Sequence, residues 1–476
     1  MEWQVDGYWK INNNSDEYIG RLYVNQDNGI IYLTIYYQGN KLVPSMLELP
    51  LEIKFINGRT STGARLTLLD CNRHKTSTNI GSRSEFSYTA KFLINGWSFE
   101  KIEDIVFSQV YFQLSNIIKW GSISKFDFDF VEGHDFVMKS CFIEPERIYS
   151  DDEIEISYVL DSGGLNMDSL IEKVEFEQIP QIVIKSTTNK DIDFFLDRLE
   201  TIKRLIEIAI GGKTVIVSVW ANSPAIVESF DDTIQRTIEI FHSNPKESIS
   251  TRNSWHEYLF FLPDLINYAS IDRWLEKYKL LEPVVELYIE DLRSKDLSIN
   301  RRFLNIVQAL ETYHSRIVCN GDASLKRYKE RVCKILHNAD PAHEESFLQG
   351  CSRQISLVAR MYDLLIANFD IWFDTGNINR NEFAGLVTDT RHYFTHYNFN
   401  EKDKALSGEE LYVAYEVLKY MLIYYILNEL GFDREFVHKK VGEMQSRLAT
   451  SLQLRKLDKD KASGTIYQSQ EIEGAE

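Results

Sequence analysis

The sequence predicts an α+β multidomain chain: an N-terminal antiparallel β-sandwich or barrel-like domain, a helical connector, and a C-terminal all-α bundle. Three observations carry this. Up to about residue 184 the apolar residues recur with a period near two, as in Phe126, Phe128 and Phe130 between Asp127 and Asp129. Paired turn signals punctuate that half, and from residue 298 the apolar spacing becomes helical almost to the end. At 476 residues the chain is also too long for one ordinary core. The expected divisions are 1–188 for the β domain, 189–297 for the connector, 298–452 for the bundle and 453–476 for a disordered tail.

In the β domain, residues 30–37 and 47–55 are rich in β-branched and aromatic side chains, as strands are. Asn28-Gly29, Asn57-Gly58 and Asn95-Gly96 supply the positive φ that tight hairpins need. Many short strands joined this way make a sandwich or a barrel. Trp3, Trp9, Tyr23, Tyr36, Tyr37 and Trp97 would serve as core and cross-strand pairs, or else as a stacking surface for a sugar or base.

The connector opens with a helix over 191–210, where Ile192, Phe195, Leu196, Leu199, Ile202, Leu205, Ile206 and Ala209 recur at helical spacing. It stops at Gly211-Gly212. Residues 211–214, GGKT, resemble part of a phosphate-binding loop, but Glu207 stands where that loop requires glycine. The order here is also helix then strand-like 215–220, the reverse of what such a loop needs. The glycines therefore read as a helix stop. Further helices are expected at 231–242, 255–268 and 271–292, broken or kinked at Pro263 and Pro283.

Six helices are expected in the bundle, at 299–319, 324–338, 344–369, 379–398, 408–430 and 433–452. Ser407-Gly408-Glu409-Glu410 reads as a capping box at the start of the fifth, and Gly431 as its stop. That helix is apolar nearly all round, which places it at the centre of the bundle or in a subunit interface.

Composition narrows the function. The chain is 44% hydrophobic and 26% charged, as soluble globular proteins are. A net charge of −18 excludes a general nucleic-acid coat protein, so RNA or DNA binding would need a local basic patch. The five cysteines, Cys71, Cys141, Cys319, Cys333 and Cys351, are too scattered for a disulfide framework. No basic-then-apolar leader opens the chain, and the longest apolar run, 420–427, is far short of a membrane span. A cytoplasmic protein without membrane partners is expected.

The chemistry concentrates in residues 388–400, TDTRHYFTHYNFN. Arg391 is permanently cationic, and His396, five positions on, can move a proton near neutral pH. Three readings compete. His392 and His396 lie four apart on one helical face, as zinc ligands can, but a zinc protease needs Glu immediately after the first His, where this chain has Tyr393. Cys319, Cys333, His337 and Cys351 likewise lack a zinc spacing; buried thiols are the simpler reading. The second reading is structural, with Arg391 paired to an acid and the histidines satisfied in the core. The third is RNA cleavage. RNA carries its own 2′-hydroxyl nucleophile, so a proton-moving imidazole and a cation for the phosphorane suffice, with no metal and no cofactor. Five helical positions place the two side chains about 140° apart. They meet only if the helix ends or loosens near His396, or if a second copy completes the site.

An Arg, a polar residue and a His late in a helical bundle resemble the signature of the HEPN superfamily. Residues 302–316, RFLNIVQALETYHSR, and 387–398, VTDTRHYFTHYN, resemble its ApeA-like branch, found in bacterial anti-phage defence proteins, in which a β-rich domain precedes the helical one. The resemblance implies an HEPN-like bundle and a metal-independent endoribonuclease acting as a homodimer or higher homo-oligomer through that bundle. Arg391 and His396 would be catalytic, and His392 would stand where Asn is often found. Glu311 and His314, three apart on one helix, would orient Arg391 or contact RNA, or else brace two helices. Tyr393 and Tyr397 could stack on bases, although helix packing is the commoner role for at least one of them. Lys326, Arg327, Lys329 and Arg331 form the most basic helix and could attract RNA, although a solvated face is the commoner role of such a run. The β domain would sense a phage-derived trigger or restrain the nuclease. The alternative is a non-catalytic recognition protein, a β-sandwich binding module on a helical oligomerisation domain.

Overall fold

The computed structural model describes residues 2–12, 16–37, 49–78, 84–131, 135–163, 166–167, 174–226, 236–244, 257–294, 296–318, 330, 355–366, 380–397 and 399–462. The chain divides into two compact units, Met1–Leu265 and Ile266–Glu476.

In the first unit, β1 (Glu2–Ile11), β2 (Glu17–Asn25), β3 (Ile30–Tyr37), β4 (Glu52–Thr60), β5 (Arg65–Thr78) and β6 (Ser84–Asn95) pair antiparallel in the order β6-β3-β2-β1-β4-β5. Strand β5 returns onto β6, which closes a six-stranded barrel and removes its free edges. Trp9, Leu22, Leu33, Leu68, Phe86 and Tyr88 fill it. Glycines make room for the Trp9 ring: a Cβ at Gly58 would lie 2.5 Å from Trp9 Cε3. Asn57-Gly58, expected as a hairpin turn, is therefore the interior of β4, where glycine serves close approach. Asn28-Gly29 does make the β2–β3 turn, with Gly29 at φ 63°.

The far end of β6 turns to a different partner. Its residues Phe92–Asn95 pair with β16 (Thr237–His242), where Ser84–Thr89 pair with β3. From there the sheet continues through β15 (Ile216–Asn222), β7 (Phe107–Leu114), β14 (Gln178–Lys190), β11 (Ile154–Ser162) and β10 (Glu146–Ser150). One face of this wing is apolar: Val110, Phe112, Val219, Ala221, Ile238 and Ile240 are buried. A short helix α1 (Ile118–Gly121) follows β7, and Phe126–Val131 (β8) pairs with Asp135–Ser140 (β9) in a separate two-stranded ribbon. A second small ribbon joins β12 (Asn166–Met167) to β13 (Val174–Glu175).

Helix α2 (Ile192–Ile210) starts on Asp191, whose carboxylate accepts from Phe194 N at 2.9 Å. It ends at Gly211, φ 60°, with Gly212 N bonded to the Glu207 carbonyl at 3.2 Å. That is a glycine helix stop, and the strand β15 follows it. The helix expected at 231–242 is not formed over its described part: Thr237–His242 is strand β16, with Ile238 and Ile240 buried on alternate positions.

The second unit is helical, and the α+β class predicted from the sequence holds. Helix α3 (Leu262–Asn267) spans the boundary between the units. In the second unit α4 (Ser270–Arg293), α5 (Ile299–Tyr313), α6 (Leu357–Ile366), α7 (Arg380–His396), α8 (Gly408–Glu429) and α9 (Arg434–Ala462) follow. Pro283 lies inside α4 without ending it. Helix α8 is buried on most sides and packs against α5 and α9, the central position its all-round apolarity predicts. Its start differs from the expected capping box, because the Ser407 side chain makes no cap bond. Its end is as expected: Gly431 has φ 81°, and Phe432 N bonds the Leu427 carbonyl at 3.2 Å. Helix α9 runs on to Ala462, so residues 453–462, expected in a disordered tail, are helical. Among the described residues no helix is long and apolar enough to cross a membrane.

Candidate active site on helices α5, α6 and α7

Helix α5 is fixed by Phe303, Ile306, Val307, Leu310 and Tyr313, a buried stripe at helical spacing, and is capped by Ser298 accepting from Arg301 N. After Tyr313 the backbone widens into a π-turn, His314–Val318. Such turns recur at functional sites because they shift the register of the side chains that follow.

Helix α6 grips this junction twice. Asp363, almost wholly buried, bonds His314 Nε2 through Oδ2 at 2.8 Å, and His314 itself is fully buried. One turn earlier Arg360 donates from Nη1 to the Glu311 carbonyl at 3.3 Å, and from Nε to the Ile355 carbonyl at 3.1 Å. His314 therefore braces two helices and is withdrawn from any RNA surface. Neither Arg360 nor Asp363 was singled out from sequence. The available signal was a lone carboxylate in the apolar run LVARMYDLLI.

The Glu311 side chain points the other way, to α7. Its Oε2 lies 4.0 Å from Arg391 Nη2, with each side chain about one-third exposed. A partly hydrated pair at that distance contributes little to stability, on the order of 1 kcal/mol or less, but it gives the guanidinium a direction.

Helix α7 is seated by Phe383, Ala384, Val387, Thr390 and Phe394, all buried. The buried Thr390 hydroxyl donates to the Leu386 carbonyl at 2.6 Å and accepts from Leu406 N at 2.9 Å, tying the returning chain to the helix. Phe394 meets Phe303 of α5 edge to face. The helix runs through His396, and Tyr397 N bonds the Tyr393 carbonyl at 2.6 Å; separately, the Thr395 hydroxyl donates to the Arg391 carbonyl at 2.7 Å. It stops abruptly at Tyr397, which has φ 50°, a costly conformation for a bulky residue. His392 and His396 are exposed, their rings 6.4 Å apart between centroids. Tyr393 is half-buried between the Phe394 and Tyr397 rings. Beyond the helix end, Tyr397 is 65% and Phe399 83% exposed.

The arrangement thus joins Arg391 to Glu311 on one side of α7 and His392 to His396 on another. Among the described residues no hydrogen bond joins Arg391 to His396, as their five-residue separation on an unbroken helix requires. Lys326, Arg327, Lys329 and Arg331 lie outside the described residues, as do Cys319, Cys333, His337 and Cys351. Among the described residues no cluster of three or more His, Cys, Asp or Glu side chains is placed to hold a metal.

Deeper polar groups brace the helices. Asp291 of α4 receives Arg302 Nε at 2.9 Å and the Tyr415 hydroxyl at 2.6 Å, linking α4, α5 and α8. Glu429 does the same for Lys277 and Tyr313. These contacts hold α5 in place beneath the site.

Two family models match the chain. The one described as ApeA N-terminal domain 1 covers residues 4–274, and the one described as Apea-like HEPN covers 304–436, spanning α5 to α8 with Glu311, Arg391 and His396 inside it. No curated protein matches, and no solved structure matches.

Proposed function

The chain belongs to the ApeA-like HEPN family, whose helical domain is of a nuclease type, and on that premise we propose that it is an endoribonuclease of a bacterial anti-phage defence system. It acts in the cytoplasm on RNA and uses neither metal nor cofactor. The observation that carries the reading is the end of α7: a cation held by a carboxylate, two adjacent exposed imidazoles, and two exposed aromatic rings within nine residues.

In the proposed reaction His396 takes the proton of an RNA 2′-hydroxyl, whose oxygen attacks the adjacent phosphorus. Arg391, aimed by Glu311, carries the charge that builds on the phosphorane oxygens. The bond to the 5′-oxygen then breaks, and that oxygen takes a proton from a second imidazole, which we assign to His392. The products are a 2′,3′-cyclic phosphate and a 5′-hydroxyl. Tyr397 and Phe399 offer ring faces to unpaired bases, each such stack being worth about 1–3 kcal/mol. Because Arg391 and His396 project from different sides of α7, the phosphate is placed between two copies of the chain, in a homodimer formed through the helical domain. The β-rich unit holds the nuclease inactive until a phage component arrives.

The test is cleavage of cellular RNA by the full chain, with end-group analysis. Arg391→Ala and His396→Ala should each abolish cleavage while leaving the fold intact, and parent products should carry cyclic phosphate and 5′-hydroxyl ends. Parent-level cleavage by both variants, or 5′-phosphate ends, would overturn the proposal.

A further inference from the structure

The wing of the first unit carries a second candidate site, unrelated to the nuclease chemistry. Its inner face is apolar, as a half-buried sheet requires, but its other face is not the usual mixture of solvated charges. Strand register puts Tyr111 of β7 beside Trp220 of β15, Trp220 beside Glu239 of β16, and Glu239 beside Asn95 of β6. Directly paired residues on antiparallel strands share a face, so these four form one row across the wing. The row opens into a cleft of about 590 Å³ lined by Trp97, Trp220, Asn95, Glu239, Arg65 and Arg236.

Four of the lining groups have defined contacts. The Arg65 guanidinium lies 5.1 Å over the Trp97 ring, which presents a stacked cation to the cleft. Asn95 Nδ2 donates to Glu239 Oε2 at 3.3 Å, and both side chains are half-buried. Trp220 is half-buried in the sheet, whereas Arg65 and Arg236 are exposed at the rim. A second cleft, of about 620 Å³, adjoins through Arg65 and adds Lys10, Glu17, Glu100 and Arg59, the last 5.3 Å over the Tyr8 ring and 3.6 Å from the Glu17 carboxylate. Arg65 and Arg236 outnumber Glu239 in the first cleft, a local positive balance in a chain of net charge −18.

From this we infer that the cleft binds a nucleotide unit, its base against the Trp220 indole and its phosphate between Arg65 and Arg236. Indoles alone would suit a sugar ring equally, but a neutral sugar has no use for two guanidinium groups at the rim. Guanidinium forks match phosphate oxygens. A carboxylate can only accept, so Glu239 addresses ring or exocyclic N–H groups of the base. The volume lies in the range of small-ligand sites. The same chemistry is offered by a free nucleotide and by one nucleotide of a single strand.

The test uses the full chain and calorimetric titration with GTP, ATP, UTP, inorganic pyrophosphate, a neutral disaccharide and a short single-stranded oligonucleotide. A nucleotide should bind with base preference, while pyrophosphate and disaccharide do not. Trp220→Ala and Arg236→Ala should each weaken binding roughly tenfold or more, as loss of a base stack or a phosphate contact does. Arg236 is exposed, so its variant tests the site even if the tryptophan variant fails to fold. Binding of the oligonucleotide no tighter than the free nucleotide identifies a small-molecule site; much tighter binding identifies a strand, and either supports the inference. It is overturned if no nucleotide binds at millimolar concentration, if pyrophosphate binds as well as GTP, or if Arg236→Ala binds like the parent.

Discussion

Replacing Asp363 with alanine separates the two roles that the α6 contacts combine. Asp363 and His314 form a bond of 2.8 Å with side chains 6% and 0% exposed, so water cannot substitute for either partner. A hydrogen bond to a charged carboxylate is worth about 1.5–3 kcal/mol, and a buried polar group left unsatisfied costs about 1–3 kcal/mol, so Asp363→Ala should destabilise by about 3 kcal/mol. At about 2–4 °C per kcal/mol for a domain of this size, the transition of the helical unit should fall by roughly 6–12 °C. Asp363→Asn keeps an acceptor for His314 Nε2 and loses only the charge, so about 1–2 kcal/mol is expected. Differential scanning calorimetry measures both. An Asp363→Ala transition within 1 °C of the parent, or an asparagine variant as damaged as the alanine one, would refute the reasoning. RNA cleavage assayed well below the transition then reads positioning alone, because Arg360 and Asp363 hold the turn that carries Glu311 toward Arg391.

Three other outcomes are expected. Glu311→Gln should change stability by less than about 1 kcal/mol, the pair being partly hydrated, yet lower RNA cleavage about tenfold; unchanged cleavage would remove Glu311 from the site. Burial holds the Tyr88 phenol up to about 12 and pushes those of Tyr158, Tyr288, Tyr313 and Tyr415 further in the same direction. Unfolded phenols ionise near pH 10, so the stability these groups contribute is full below about 10 and is lost as pH rises toward 12 and beyond. A fraction of the phenolate absorbance should therefore appear only together with loss of circular dichroism; complete titration of all the tyrosines near pH 10 in a folded chain would contradict this. Finally, equal mixing of Arg391→Ala and His396→Ala subunits should restore roughly a quarter of parent cleavage, since half the dimers then hold one intact composite site of two. No recovery after subunit exchange would place both groups in one chain.

The fold was legible where local pattern and burial agree. The stripe on α5, the all-round apolarity of α8 and the glycine stops at Gly211 and Gly431 were each readable from spacing and turn chemistry. Errors fell where a local signal had two meanings. Asn57-Gly58 has hairpin composition, but its glycine is there for the Trp9 ring, a partner 49 positions away in sequence. Residues 237–242 fall within a helical window by composition, although Ile238 and Ile240 alternate; pairing with β6 and β15 selects the strand. In the candidate site Arg391, His396 and Glu311 were visible as residue types at telling spacings. Asp363 was not, because its role depends on α6 lying against the π-turn, and no local pattern encodes that contact.

The spacing of Arg391 and His396 has a stronger consequence in the folded chain than in the sequence. A loosened helix end could have swung His396 toward Arg391, but α7 is helical through His396 with Tyr397 N bonded back to Tyr393, and the break comes one residue too late. Thr390 fastens the helix to the chain that follows it, and Glu311 draws the guanidinium toward α5. On a helix about 10–12 Å across, side chains 140° apart stand roughly 10 Å from each other, several times the span of a phosphate. Charge stabilisation and proton transfer at one phosphorus must occur within hydrogen-bond reach. For the proposed reaction, an exposed imidazole whose cation lies on another side of the same helix calls for a second helix of the same kind facing it. Two copies related by a twofold axis would set each His396 against the other's Arg391, and the exposed rings of Tyr397 and Phe399 would border the groove between them.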